Sequence, residues 1–412
     1  MKRRVVITGL GVVSSVGIGI PEFWKSIITG KSGVDYISGF DTTNCEVKIG
    51  AEVKNFDPSC YLEKKEIKRT DRVVQFAVAA AKMALEDAAL TINSTIAPEI
   101  GVVIGSGIGG IKTFEEQTRV YLEKGPKRVS PFFIPMMIPD MVSGYVSIVT
   151  GAKGPNHTVV TACASAAHSI GDSFRIIQNG HAKAMITGGA EAAVTGLSFA
   201  GFNSAGALSK NNQDPKGASR PFDLRRDGFV MGEGAGIIIL EDYEYAVDRG
   251  AKIYAEMIGF GESGDAYHMT SPDPEGDGAS RAMAAALADS QISPQEVSYI
   301  NAHGTSTQQN DLLETVAIKK VFGEYASKVA ISSTKSMTGH LLGAAAGIET
   351  IISALALTHN IIPPTINYQT PDPNCDLDYV PNKARPCQLT YVLSNSLGFG
   401  GHNACISLKK AG

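Results

Sequence analysis

Two stretches far apart in this chain are written to one plan. VVTACASAAHSIGDSFRIIQNGHA reads as an apolar strand, a tight turn of small residues and then a helix; VAISSTKSMTGHLLGAAAGIETIISALALTHN repeats it. The likeness is architectural rather than letter by letter, and a repeated unit of this kind points to a fold built from two similar halves. Around them, RRVVITG, EIGVVIGSG, HTVVTAC, AKAMITGG and AGIIILED read as strands buried on both faces. RVVQFAVAAAKMALEDA has helical period, with a C-terminal boundary near Thr91. The alternation predicts an α/β chain. Its seam falls near DRGAKIYAEMIG, where the strand IYAEMIGFG restarts the pattern, so the expected halves are residues 1–250 and 251–412.

Composition narrows the function classes. The 412 residues are 43% hydrophobic and 19% charged, ample for a large core. A formal charge of −4 offers no global basic field for nucleic acid, so any charged partner must meet a local patch. The start, MKRRVVITGLGVVSSVG, is basic and then apolar, as in a signal peptide. Gly9, Gly11, Ser14, Ser15 and Gly17 interrupt it, and it reads instead as a strand entering a Gly-rich turn. No stretch approaches the ~18 uninterrupted apolar residues of a membrane span. The six cysteines form no CxxC pair and read as reduced thiols of a cytoplasmic protein.

GSGIGG satisfies the GxGxxG pattern after a strand, but KTFEEQTRVYLEKGPKRVSPFFIP, which follows, does not continue a dinucleotide-binding unit. The glycines there read as a tight turn. No HxxxH, HExxH or Cys/His spacing suggests a metal ligand set, and no GxSxG occurs.

Three residues remain, each on a small-residue turn after a strand: Cys163 in TVVTACASAAHS, His303 in YINAHGTST and His340 in STKSMTGHLLGAAAG. A cysteine at a helix N-terminus is placed for thiolate stabilisation, and its neighbouring N–H groups can hold an oxyanion. Taken singly, a buried structural cysteine and satisfied core histidines account for them equally well. Lys335, after an apolar strand, needs an anionic partner, and Glu349 on the following helix can supply it. One nucleophile with two donors suits thioester chemistry. Phe399, flanked by glycines in GFGG, is either a mobile gate or a buried plug.

TACAS, NAHGTST, TKSMTGHLLGAAAG and NSLGFGGHN occur in the order found in the β-ketoacyl-[acyl-carrier-protein] synthases, and DAYHMTSP resembles their long-chain type II branch. The resemblance runs from RRVVITGLG to the end. It implies a thiolase-like fold of two pseudo-repeated α/β halves in five layers, α-β-α-β-α, assembled as a homodimer. It further implies an acyltransferase that condenses an acyl thioester with a malonyl thioester, both borne on acyl carrier protein, with loss of CO2 and no organic cofactor. In that scheme Cys163 accepts the acyl group, His303 and His340 hold the malonyl thioester carbonyl, Lys335 supports them, and Glu349 orients Lys335. The N–H groups of Cys163 and Phe399 would form the oxyanion hole, and Phe399 and Gly400 the gate. Thr305, Thr307 and Thr270 would line the phosphopantetheine tunnel, and Ile108 the acyl pocket.

Carrier docking would fall to Lys65, Lys68 and Arg69, extended by Lys127 and Arg128. Helical spacing sets Lys65, Lys68, Arg69 and Arg72 along one side, and Gly206 stands where a further basic contact is expected. Gln308 replaces the usual proline of GTSTP, and His402 stands where Thr is frequent. Both departures bear on substrate preference. A thiolase would carry a second cysteine where this chain has the His340 turn, and a non-catalytic chain-length partner would lack Cys163. A catalytic ketosynthase of a polyketide pathway is the alternative that these motifs leave open.

Overall fold

The computed structural model describes residues 2–412. An 11-stranded sheet runs through the chain. Ten strands form its path: β1 Val5–Ser14, β2 Ile100–Gly105, β3 Asn156–Val159, β4 Ala184–Glu191, β5 Gly234–Asp242, β6 Ala255–Gly264, β7 Val297–Asn301, β8 Ala330–Ser332, β9 Tyr391–Gly398 and β10 His402–Lys410. Among the helices that cover it are α1 Arg72–Asp87, α2 Met141–Thr150, α3 Ser165–Gln178, α4 Asp277–Ser290, α5 Gln308–Phe322 and α6 Ala345–His359. The five expected strands of the first half and the restarting strand all form.

The repeat is carried by strand pairing. The first half is ordered β3-β2-β4-β5-β1 and the second β8-β7-β9-β10-β6. β2 is parallel to β3 and β4, and β4–β5 and β5–β1 are antiparallel. β7 is likewise parallel to β8 and β9, and β9–β10 and β10–β6 are antiparallel. The halves meet where Val5, Val6 and Ile7 of β1 lie antiparallel to Met257, Glu256 and Ala255 of β6.

Alternation along the strands explains the layering. In β5, Ile237 and Ile239 face a cluster with Phe76, Val78 and Ala81 of α1 and Val142 of α2. Ile238 and Leu240 face the opposite way, into a cluster with Phe174 of α3 and Ile348 and Ile352 of α6. A strand covered on both faces reads as a near-continuous apolar run, hence GAGIIIL, with the buried Glu241 at its end paired to Arg249. On the outer side of the second half, Met283 and Leu287 of α4 and Ile318 of α5 pack on Ile300 and Leu393. Helices α3 and α6 touch each other and both sheet halves. The result is α1/α2, sheet, α3/α6, sheet, α4/α5: the five-layered α-β-α-β-α arrangement. Phe174 is 1% exposed in the middle layer, where truncation to Ala costs about 3–5 kcal/mol through lost transfer energy and the cavity left behind.

Helix α1 starts where Asp71 accepts from the Val73 N–H, and it ends at Asp87, a few residues before the expected boundary. Ala89 turns the chain at φ 48°, and Leu90, already outside the helix, is buried against the same core. Leu342–His359 is long and apolar enough to cross a membrane by length and composition, and 89% of it is buried inside the protein as the middle-layer helix.

Candidate active site

The middle layer brings the reactive residues together, because α3 and α6 both begin at the same cavity. Before α3, Ala162–Ala164 form a single 3-10 turn with Ala162 at φ 51°. Ser165 clamps this strained conformation: its Oγ accepts from Thr161 N–H at 2.9 Å and donates to the Ala162 carbonyl at 2.6 Å. Cys163 at the centre of the turn is 9% exposed and lines a cavity of about 500 Å³.

The Phe399 backbone N–H faces the Cys163 thiol and favours its anion. This approach requires glycine at 398, where a Cβ would lie 2.9 Å from the Thr161 carbonyl oxygen and 3.2 Å from the Cys163 nitrogen. Burial pushes the Cys163 thiol up to about 12, and the Lys335 charge works against that rise. The sulfur sits in a 3-10 turn ahead of α3, where desolvation disfavours the anion and the helix end favours it.

His303 follows β7. Its N–H and that of Gly304 each donate to an oxygen of Glu314 at 2.8 Å, which fixes the turn. The His303 and His340 rings meet edge to face with centroids 5.3 Å apart, and both line the cavity with Cys163. Lys335 Nζ lies 3.4 Å from His303 Nδ1 and 2.5 Å from Glu349 Oε1. An ammonium only donates, so His303 Nδ1 offers its lone pair to Lys335 and Nε2 carries the proton. Burial and then Lys335 hold both histidines well below the usual imidazole value, with His340 adding to the effect on His303. Both rings are thus neutral donors rather than cations at neutral pH.

The remaining predicted residues divide. Thr270, Thr305, Thr307, Gln308, Gly206 and Phe399 line the cavity, and the Thr305 and Thr307 hydroxyls are 3.0 Å apart. Ile108 does not line this cavity; it packs beside it in the apolar cluster of Cys163, Phe199, Phe229 and Leu342. Gly400 is exposed at the tip of its loop, outside the cavity wall, with its N–H bonded to the Met269 carbonyl at 2.7 Å.

The basic residues do not form one helical face. Lys64–Ile67 is a single turn, and Arg72 opens a separate helix, bonded to the buried Glu233 at 2.9 Å. Desolvated Glu233 captures the arginine and takes it out of the patch. Lys65, Lys68, Arg69, Lys127 and Arg128 are all exposed. The Arg69 guanidinium lies 4.7 Å from the Phe132 ring centroid, which joins the two basic segments.

Sequence reasoning missed Glu191 and Glu314. Glu191 accepts from the N–H groups of Gly107, Ile108 and Gly343 and from the Ser106 hydroxyl, and so pins the GSGIGG turn under the two central helices. Burial pushes both carboxyls up to about 7 against these donors. The available signal was an acid closing an apolar strand, AMITGGAE, the argument already applied to Lys335.

Residues 2–246 match the model of the β-ketoacyl synthase N-terminal domain and residues 254–369 that of the β-ketoacyl synthase C-terminal domain. The 3-oxoacyl-[acyl-carrier-protein] synthase 2 of Synechocystis is 55% identical over 99% of this chain and 98% of its own length. Among solved structures, the ishigamide ketosynthase/chain length factor superposes with a TM-score of 0.94 at 36% identity over the full length of both chains. A type II polyketide acyl-carrier protein in complex with its ketosynthase, bound to the hexaketide, gives 0.92 at 38%, again over both full lengths. With two matched domain models, a full-length relative and the cysteine and two histidines gathered on one cavity, the chain belongs to the β-ketoacyl synthase family.

Proposed function

We propose that this chain is the acyltransferase that elongates acyl groups in fatty acid synthesis, condensing an acyl-carrier thioester with a malonyl-carrier thioester. The observation that carries the reading is that Cys163, His303, His340 and Phe399 line one cavity.

In the first stage Cys163 sulfur attacks the acyl thioester carbon. Its S–H proton leaves as the S–C bond forms, since the free thiol ionises only near 12. The Cys163 and Phe399 N–H groups stabilise the oxyanion, and carrier thiol departs with a proton. In the second stage His303 Nε2–H and His340 bind the malonyl thioester oxygen, and the C–CO2 bond breaks to give CO2 and an enolate. The enolate carbon attacks acyl-Cys163, expels its sulfur and leaves a 3-oxoacyl carrier; one proton from water restores the thiol. Atoms and electrons balance with no organic cofactor. Lys335, oriented by Glu349, holds the His303 tautomer, and Thr305, Thr307 and Thr270 line the arm's path.

Carrier protein would dock on Lys65, Lys68, Arg69, Lys127 and Arg128, an exposed cluster on a chain of net charge −4. For the homodimer, the support is the edge strand β3 with exposed Val160 and Ile148 beside it, an unpaired edge suited to a second copy. Six free cysteines fit a reducing cytoplasm. The polyketide ketosynthases share the fold at lower identity than the synthase 2 relative, which favours fatty acid elongation; a chain-length partner would not need Cys163. Intact-mass detection of acyl-Cys163 across acyl-carrier lengths, followed by product analysis, tests the reading. Absence of any 3-oxoacyl product would overturn it.

A further inference from the structure

Phe399 belongs to a three-residue hairpin loop, since Gly398 of β9 pairs directly with His402 of β10. Gly400 and Gly401 lie at φ 84° and 75°, so the loop's own backbone offers little resistance to movement. Two backbone bonds tether the glycines, from the Gly400 N–H to the Met269 carbonyl at 2.7 Å and from the Asp265 N–H to the Gly401 carbonyl at 2.9 Å, and neither holds Phe399 itself. The back wall of the loop is the His402 ring: a Cβ at Gly400 would lie 3.1 Å from its Nε2 and Cδ2.

The His402 ring in turn meets His168 edge to face, with centroids 6.3 Å apart. His168 is on α3, behind the nucleophile turn, and its Nδ1 lies 2.9 Å from Thr161 Oγ1 and 3.1 Å from the Ala164 carbonyl. These two residues stand on either side of the Ala162–Cys163 pair. A carbonyl only accepts, so Nδ1 carries a proton. The far side of the ring is covered by Phe260, edge-on with centroids 6.0 Å apart, and Glu262 lies 3.5 Å from Nε2. Both come from β6, opposite Ile406 and Ala404 of β10. A continuous run of contacts thus joins the turn that presents the sulfur to the loop that presents the N–H.

We propose that His168 and His402 form a clamp that registers the Phe399–Gly401 loop on the Cys163 turn, acting as positioning residues for acylation. The inference rests on the proposed thioester chemistry for its catalytic consequence, but not for its mechanical one. Neither ring needs to touch substrate. The clamp sets where the Phe399 N–H points, and an error of about 1 Å in such a donor costs on the order of 100-fold in rate. Threonine at 402 would have no ring to reach His168. The clamp is therefore a feature that this chain can lose by one substitution.

The test uses His402→Thr, His168→Ala and the double variant of the full chain. Hydrogen exchange of the peptide over residues 396–403 should speed up about 10-fold in each single variant, with exchange elsewhere unchanged. Acylation of Cys163 by acyl carrier should slow about 10-fold in kcat with KM for carrier unmoved, and the double variant should be no worse than the more severe single one. His402 is only half-buried, so its threonine variant carries the test if His168→Ala fails to fold. Unchanged loop exchange in His402→Thr, or multiplication of the two rate losses, would overturn the clamp. Failure of wild-type protein to form any acyl adduct would instead sink the thioester reading, leaving the exchange arm to decide the clamp by itself.

Discussion

Cys163 and Gly343 hold the same position in the two halves. Each is the middle residue of a three-residue 3-10 turn, follows a residue at positive φ (Ala162 at 51°, Leu342 at 48°), and lies two residues before a middle-layer helix. The second turn has no room for a nucleophile: a Cβ at Gly343 would sit 2.2 Å from the Gly107 nitrogen. Its N–H is committed to Glu191 at 3.0 Å. One turn of the repeat therefore carries the sulfur, and its twin closes against the GSGIGG turn.

Cys163→Ser is expected to remove the acyl adduct and nearly abolish condensation while the thermal midpoint stays close to wild type. Serine has nearly the same size and is a far weaker nucleophile. Mass spectrometry after mixing with acyl carrier decides it; an adduct mapping to any of the other five cysteines defeats the assignment.

Alkylation of Cys163 by iodoacetamide should rise about 10-fold per pH unit from pH ~7 to ~9 without a plateau, because the buried thiol ionises only near 12 and the reactive fraction grows with hydroxide. A plateau near neutrality would mean a preformed thiolate.

His303→Ala and His340→Ala should keep acylation of Cys163 better than malonyl decarboxylation, since the enolate, not the thioester attack, needs the two donors. Separate assays of adduct formation and CO2 release make the comparison. Equal loss in both would assign the histidines to proton abstraction from sulfur.

The two histidines also set a pH dependence. Their folded-state values are depressed below the unfolded ones, so between those values the unfolded chain binds more protons. Stability therefore rises with pH through that window and falls as pH drops below about 6.5. The melting temperature of wild type should decline more steeply on acidification than that of a His303→Asn, His340→Asn double variant. Parallel curves would contradict neutral burial of the rings.

Lys65→Glu with Arg69→Glu should raise KM for acyl carrier protein and flatten its salt dependence, because exposed charges steer association and are screened. A short pantetheine thioester should be used as well by this variant as by wild type. Equal impairment with both substrates would place the damage in the fold or the site.

By itself the sequence determined the α/β class and the five strands of the first half, and it singled out the three residues that share the cavity. Period-two and helical patterns, and small residues after apolar strands, are local, and local spacing survives in a string of letters. TACAS, AHGTST and TGHLLGAAAG are each local statements about one turn. What only the tertiary structure decided is how distant groups act on one another. Desolvation by the whole middle layer raises the Cys163 thiol, which no helix-end argument about TACAS could weigh. The buried Glu233 carboxylate draws Arg72 inward from a run that reads as one basic face. Glu191 and Glu314 are satisfied by backbone N–H groups from other turns, and although an acid ends the strand AMITGGAE, the sequence does not show which turns its donors come from. The Lys335 contact that gives His303 its tautomer joins two strand ends that lie side by side only because β7 and β8 pair in parallel, and that pairing is a property of the folded sheet.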